Sequence, residues 1–227
     1  MDSIKKHELI ENIKKLERYA NDDKIIFMYE DKILKLNDPY ISYKFALIIE
    51  NSDIKSHEKV VLESKDLDYN YLFAKNIKEA DVLAHGQVII DSNDLEWNYL
   101  FAKNVEGADI LAHGKVIIEN SIKDFPYYGE YNYKFAHNVK GADVKAHGQV
   151  VIKHGTGYDN FYFLRDIEGA DVDAHKKRIF DSNNISLIND LKEYEKEKKI
   201  LLEEEHLKNK IEIMNNINNI LALELNL

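Results

Sequence analysis

The chain has 227 residues, 44% of them hydrophobic, enough for one elongated domain or for a modest globule plus an arm. Its 31 basic and 41 acidic residues leave a net charge of −10, which repels nucleic-acid backbones and anionic lipid and favours a basic partner. There is no cysteine, so disulfides, thiolate metal sites and a cysteine nucleophile are excluded.

The first residues, MDSIKKHELIENIKKLERY, are charged throughout and lack the apolar core of a signal peptide. No apolar run approaches the roughly 18 residues of a membrane span. A cytoplasmic protein with no membrane partner is expected. Ile4, Ile10, Ile13 and Leu16 predict an amphipathic first helix. Residues 24–46 can be laid over 80–102, with Asn37-Asp38 under Asn93-Asp94, which predicts a decayed repeat. Residues 1–42 are thus expected to form an N-terminal helical cap.

From residue 43 one unit recurs. The clearest copies are YLFAKNIKEADVLAHGQVII (71–90), YLFAKNVEGADILAHGKVII (99–118) and YKFAHNVKGADVKAHGQVVI (133–152). Weaker copies at 43–62 and 161–180 flank them, so a 28-residue period carries one insertion of about six residues. Gly-Ala-Asp breaks each copy, and its Asp is a good N-cap for the second half. In the first half, Tyr71, Ala74 and Ile77 fall at i, i+3 and i+6, with Phe73 beside them. In the second half, Val82, His85, Gly86 and Ile89 fall at i, i+3, i+4 and i+7, a helical stripe. Endings such as Gln87-Val88-Ile89-Ile90 leave an α/β solenoid as the alternative. The predicted fold is all-α: a short α-solenoid of helix-turn-helix repeats over 43–184. Helices of roughly ten residues are marginal alone, so each pair must bury its apolar face against its neighbours.

Residues 185–227 lack the repeat and contain neither Gly nor Pro, which predicts one long helix or two. Leu207, Ile211, Met214, Leu221 and Leu225 lie near a 3-4 spacing that Asn218 interrupts. This segment is expected to cap the last repeat, or to serve as an arm for a partner or for homodimerisation.

In the phrases Y-x-F-A-x-N-V-x-G-A-D-V and A-H-G-x-V-I-I, residues 43–180 resemble a family of bacterial and phage-associated repeat proteins whose copies read like FARDVKGADIKALG. The resemblance implies helical repeats and no established activity. That family tends to have Leu where this chain repeats His.

His57, His85, His113, His147 and His175 form one column, and Asp53, Asp81, Asp109, Asp143 and Asp171 lie four residues earlier in another. Asp and His at i and i+4 can face one metal on a helix. Successive solenoid units stand about 10 Å apart, too far to share an ion. Each unit alone offers too few ligands for structural zinc, so no metal or cofactor is expected. The competing expectation is an Asp cap and a neutral imidazole bonded to a backbone carbonyl or a neighbouring copy. Glycines 86, 114 and 148 come directly after the histidines and predict close approach of another helix. No phosphate loop, dinucleotide fingerprint or zinc-protease motif occurs, so no catalytic residues are expected.

Two irregular connections, 121–132 and 153–160, carry Phe125, Tyr127, Tyr128, Tyr131, His154 and Tyr158. They are expected on one edge of the solenoid, as an aromatic binding patch. The functional expectation is a non-enzymatic scaffold for a protein partner, basic or itself a nucleic-acid-binding effector. One alternative is a phage or mobile-element inhibitor, anti-CRISPR-like or an immunity protein. The other is metal or small-ligand binding through the His and Asp columns.

Overall fold

In the computed structural model, which describes residues 3–16, 23–121 and 128–225, the repeated sequence folds as pairs of short helices. Helices α1 (Ser3–Leu16) and α2 (Asp23–Lys35) precede them. The five pairs are α3 (Pro39–Ile48) with α4 (Ile54–Ser64), α5 (Leu67–Asn76) with α6 (Val82–Ser92), α7 (Leu95–Asn104) with α8 (Ile110–Ser121), α9 (Tyr128–Asn138) with α10 (Val144–His154), and α11 (Gly157–Asp166) with α12 (Val172–Asp181). A single helix, α13 (Ile185–Leu225), ends the chain. Among the described residues there is no strand, and Gln87–Ile90 lie inside α6.

Side-chain caps fix where the helices start. The carboxylates of Asp53, Asp81, Asp109, Asp143 and Asp171 each accept the amide three residues on, at 2.9–3.1 Å, and so open the second helix of every pair. Asp38, Asp66 and Asp94 open first helices in the same way, and Thr156 does so with Asp159 in a capping box. In the last three pairs the turn between the helices holds Gly107, Gly141 and Gly169 at φ of +83°, +87° and +83°. Glycine adopts that conformation without steric penalty. Asp94→Ala should cost about 1 kcal/mol in urea unfolding. An unchanged midpoint would show that the bond to Trp97 adds nothing.

The buried face of the first helix differs from the simple 3-4 pattern. Phe45, Phe73, Phe101, Phe135 and Phe163 are wholly buried, whereas Tyr71 is only half-buried. Phenylalanine thus leads the core instead of flanking it, and each buried ring contributes roughly 1.5–3 kcal/mol. First helices pack on the first helix of the next pair and second helices on the next second helix, the two-layer stacking of a solenoid. At the N-terminal end, Ile10 and Ile13 of α1 and Ile26 and Ile33 of α2 close over Ile41, Phe45 and Ile49. Ile4, expected on that face, is 78% exposed. At the other end, Leu187 and Leu191 of α13 cover Phe161, Leu164 and Ile179. No helix among the described residues is long and apolar enough to cross a membrane.

Candidate functional site

Each second helix carries its histidine into the interior, where the ring meets two side chains from the first helix of its own pair. One is the column phenylalanine, with ring centroids 4.8–5.1 Å apart. The other is an asparagine. The Nδ1 atoms of His85, His113, His147 and His175 lie 2.8 Å from the Oδ1 atoms of Asn70, Asn98, Asn132 and Asn160. The amide nitrogens of Asn70, Asn98 and Asn160 donate to Val61, Ile89 and Val151 carbonyls of the preceding second helix. Asn132, which comes after the insertion, donates to Ser121 Oγ instead. Those donations turn each amide oxygen toward the imidazole, so Nδ1 carries the ring proton and Nε2 is left as an acceptor. The expected partner, a backbone carbonyl or a neighbouring copy, is thus replaced by an asparagine of the same pair. In the first pair Ser42 stands where the others have asparagine, and His57 Nδ1 has no partner there.

Burial pushes all five histidines down to about 4, opposed by the nearby cap carboxylates. They are neutral at pH 7. The paired Asp and His of a unit do different work, one capping a helix and the other bonding asparagine. Among the described residues no group of three or more His, Cys, Asp or Glu is arranged to hold a metal ion.

The Nε2 side of the rings differs along the stack. In the first two units the residue that precedes each site by one helix layer is glutamate. Glu30 Oε1 accepts the Asp53 amide at 2.6 Å and lies 3.3 Å from His57 Nε2. Glu58 Oε1 accepts the Asp81 amide at 2.5 Å and lies 3.3 Å from His85 Nε2. The His contacts are close approaches that fall short of hydrogen-bond alignment. Burial raises both carboxyl groups above the usual range. A bare Nε2 lone pair facing an ionised carboxylate would repel it, so each Glu–His pair is best stabilised by holding one proton between them.

In the later units that residue is Gly86, Gly114 or Gly148. A Cβ on these glycines would come within 3.1–3.3 Å of Phe101, Phe135 or Phe163 and within 3.2–3.5 Å of His113, His147 or His175 Nε2. The predicted close approach is therefore made by side chains of the next pair. With no carboxylate to fill it, a cavity remains over each glycine: 230 Å³ at Gly86, Asp109 and His113, 260 Å³ at Gly114, Asp143 and His147, and 160 Å³ at Gly148 and Asp171.

The aromatic residues of the irregular connections do not share one setting. Phe125 and Tyr127 lie outside the described residues, and Tyr128 is the first residue of α9. Tyr131 packs into the core formed by Leu95, Ala102, Ile117, Phe135 and Val139. His154 ends α10, and Tyr158, near the start of α11, is 45% exposed. The asparagine column and the two buried glutamates are not evident from the sequence. Copies aligned from Tyr71, Tyr99, Tyr133 and Phe161 begin one residue after the asparagine, although Asn recurs there in four units.

Beyond Glu195, which pairs with Lys176 of α12, the long helix leaves the stack. Ile200, Leu201, Leu202, Leu207, Ile211, Ile213, Met214, Ile217 and Ile220 are 46–64% exposed. Compared with known proteins, the chain matches no family model, no curated sequence and no solved structure.

Proposed function

We propose that the protein is a non-enzymatic helical-repeat scaffold that binds a protein partner, with the outer part of α13 as its docking arm. The exposed apolar series from Ile200 to Ile220 carries this reading. Single exposed aliphatics are ordinary, but nine on one unpartnered helical segment mark a surface that water solvates poorly. The segment from Glu195 to Leu225 rises about 46 Å at 1.5 Å per residue, long enough to seat another helix along it. Six glutamates and five lysines are interspersed between 195 and 212, so the arm is close to neutral and does not repel a helix of either charge. The net charge of −10 then favours a basic partner over an acidic one.

The test is affinity purification of the full chain from its native cell beside a Leu207→Glu, Ile211→Glu, Met214→Glu variant. The variant should retain the melting transition of the stack, because these side chains touch none of the repeats, and should lose the co-purifying protein. Equal recovery by both chains would remove the arm from the binding surface. If the arm joins two copies, light scattering should show the wild-type mass halving in the variant.

A further inference from the structure

We infer that the three cavities over Gly86, Gly114 and Gly148 are carboxyl-binding sites, whose ligand takes the place that Glu30 and Glu58 fill from within the chain in the first two units. The inference goes beyond the docking arm and does not depend on it. The chain contains the bound form twice. At Glu58 a carboxyl group enters from the preceding second helix, accepts the amide of the next cap residue, Asp81, and lies against His85 Nε2. Glu30, Asp53 and His57 repeat the arrangement.

Moving one period along keeps the amide and the histidine but removes the acid. Gly86 stands 23 residues before Asp109, the separation that joins Glu58 to Asp81. His113 is wholly buried, its Nδ1 is bonded to Asn98, and its Nε2 is buried with no partner. That nitrogen lies 3.4 Å from where a Cβ on Gly86 would stand, so it faces the cavity. His175 Nε2 is equally buried and unpartnered, 3.5 Å from the Cβ position of Gly148. A buried acceptor without a donor costs roughly 1–3 kcal/mol, and a ligand that supplies the donor recovers it.

The ligand chemistry is set by the atoms present. One carboxyl oxygen accepts the backbone N–H of Asp109, as Glu58 does for Asp81. The other end of the interaction needs a proton between the ligand oxygen and Nε2, because Nδ1 already holds the proton of the neutral ring. The ligand therefore binds as the acid, or as its carboxylate together with one proton from solvent. The charged groups around the three sites are the cap carboxylates of Asp109, Asp143 and Asp171, with Lys115 beside the second cavity and Lys145 beside the third. The cap carboxylates disfavour a bare anion, as Asp81 does for Glu58, and so reinforce proton uptake. Two sources can supply the group: a free small carboxylic acid, or the acidic side chains of a bound peptide. Units repeat about every 10 Å and a polyproline II peptide rises about 3.1 Å per residue with three residues per turn, so a peptide in that form would present an acid on one face at every third position.

The experiment monitors histidine side-chain nitrogens of the full chain by NMR during titration with sodium acetate, against equal sodium chloride, at pH 6 and pH 7. A blocked peptide with three glutamates at i, i+3 and i+6 forms the second arm. The Nε2 signals of His113, His147 and His175 should move toward the protonated value and saturate, while His57 and His85 stay fixed behind their own glutamates. Uptake of one proton per ligand should strengthen binding up to tenfold from pH 7 to pH 6. Response to acetate identifies a free-acid site, and response to the peptide alone identifies a side-chain site. Glu58→Gly should add His85 to the responders, and Gly86→Glu should remove His113 alone. Silence with both probes, or equal movement of all five histidines, would overturn the inference. A folded Glu58→Gly protein in which His85 stays silent would do so as well.

Discussion

Asn98→Ala should destabilise the stack by about 3 kcal/mol, although it removes a single uncharged side chain. Asn98 joins three helices: it donates to Ile89 O of α6 at 3.0 Å and to Asp94 O at the start of α7 at 2.7 Å, and accepts from His113 of α8 at 2.8 Å. The two carbonyls keep other donors, Ser92 Oγ for Ile89 and the Asn98 backbone amide for Asp94. The imidazole does not. Its Nδ1–H would be left buried without an acceptor, and a cavity would open beside a wholly buried phenylalanine. Denaturant unfolding of Asn98→Ala, His113→Phe and the double variant tests this as a cycle. The double variant should be more stable than the sum of the two losses predicts by at least about 1 kcal/mol, since removing both partners leaves no orphan. Strict additivity would show that the bond carries no energy of its own. A cost below about 1 kcal/mol for the single variant would show that the site relaxes or admits water.

The network also explains which parts of this fold are legible in the sequence. Period, helix pairing and caps are local properties: Gly-Ala-Asp marks a break, and Asp three residues before an amide marks a start. Both appear as repeated letters. The existence of α13 is legible because the repeat stops near residue 185, but its anchor on the last pair is not, since the spacing that stands out begins at Leu207 and the packing residues are Leu187 and Leu191. Nor is the choice between Tyr71 and Phe73 for the inward position. Both are aromatic, and only the packing of the second helix of the same pair decides that Phe73 faces His85.

The site is harder to read because its parts come from different helices, and the glutamate from a different unit. Asn70 and His85 are 15 residues apart, and Glu58 and Asp81 are 23 apart, so no helical periodicity links them. The histidine column stands out, yet its role depends on an asparagine that reads alone as a surface residue. Gly86 and Glu58 occupy equivalent positions, and that equivalence gains meaning only when both are seen facing the same amide and ring. The aromatic connections illustrate the converse. Their composition suggests a surface, but Tyr131 is drawn into the core because its helix continues the pattern of Tyr69 and Trp97.

Acid should weaken the stack as the pH falls from 7 to 5.5. The five column histidines have a folded value of about 4 against about 6.5 in an unfolded chain. The unfolded state therefore binds more protons between those values, and stability falls as pH falls from about 6.5 toward 4. His57 and His85 contribute less than the other three. Burial raises Glu30 and Glu58 beside them, so these carboxyl groups take up protons more readily in the folded state than in the unfolded chain, which offsets part of the loss. For His113, His147 and His175 the change from pH 7 to pH 5.5 is about 1 kcal/mol each, or on the order of 3–4 kcal/mol together. In a chain of this size that lowers the melting temperature by roughly 10 °C. The cause is burial: a second ring proton would sit on Nε2, where these three units offer no built-in carboxylate. Thermal melts at pH 7 and pH 5.5 check the prediction, and an unchanged transition would mean that the rings are already charged or already solvated. Replacing Gly86 with glutamate should make the drop smaller, because a carboxyl group beside His113 would give the incoming proton a partner, as Glu58 does for His85.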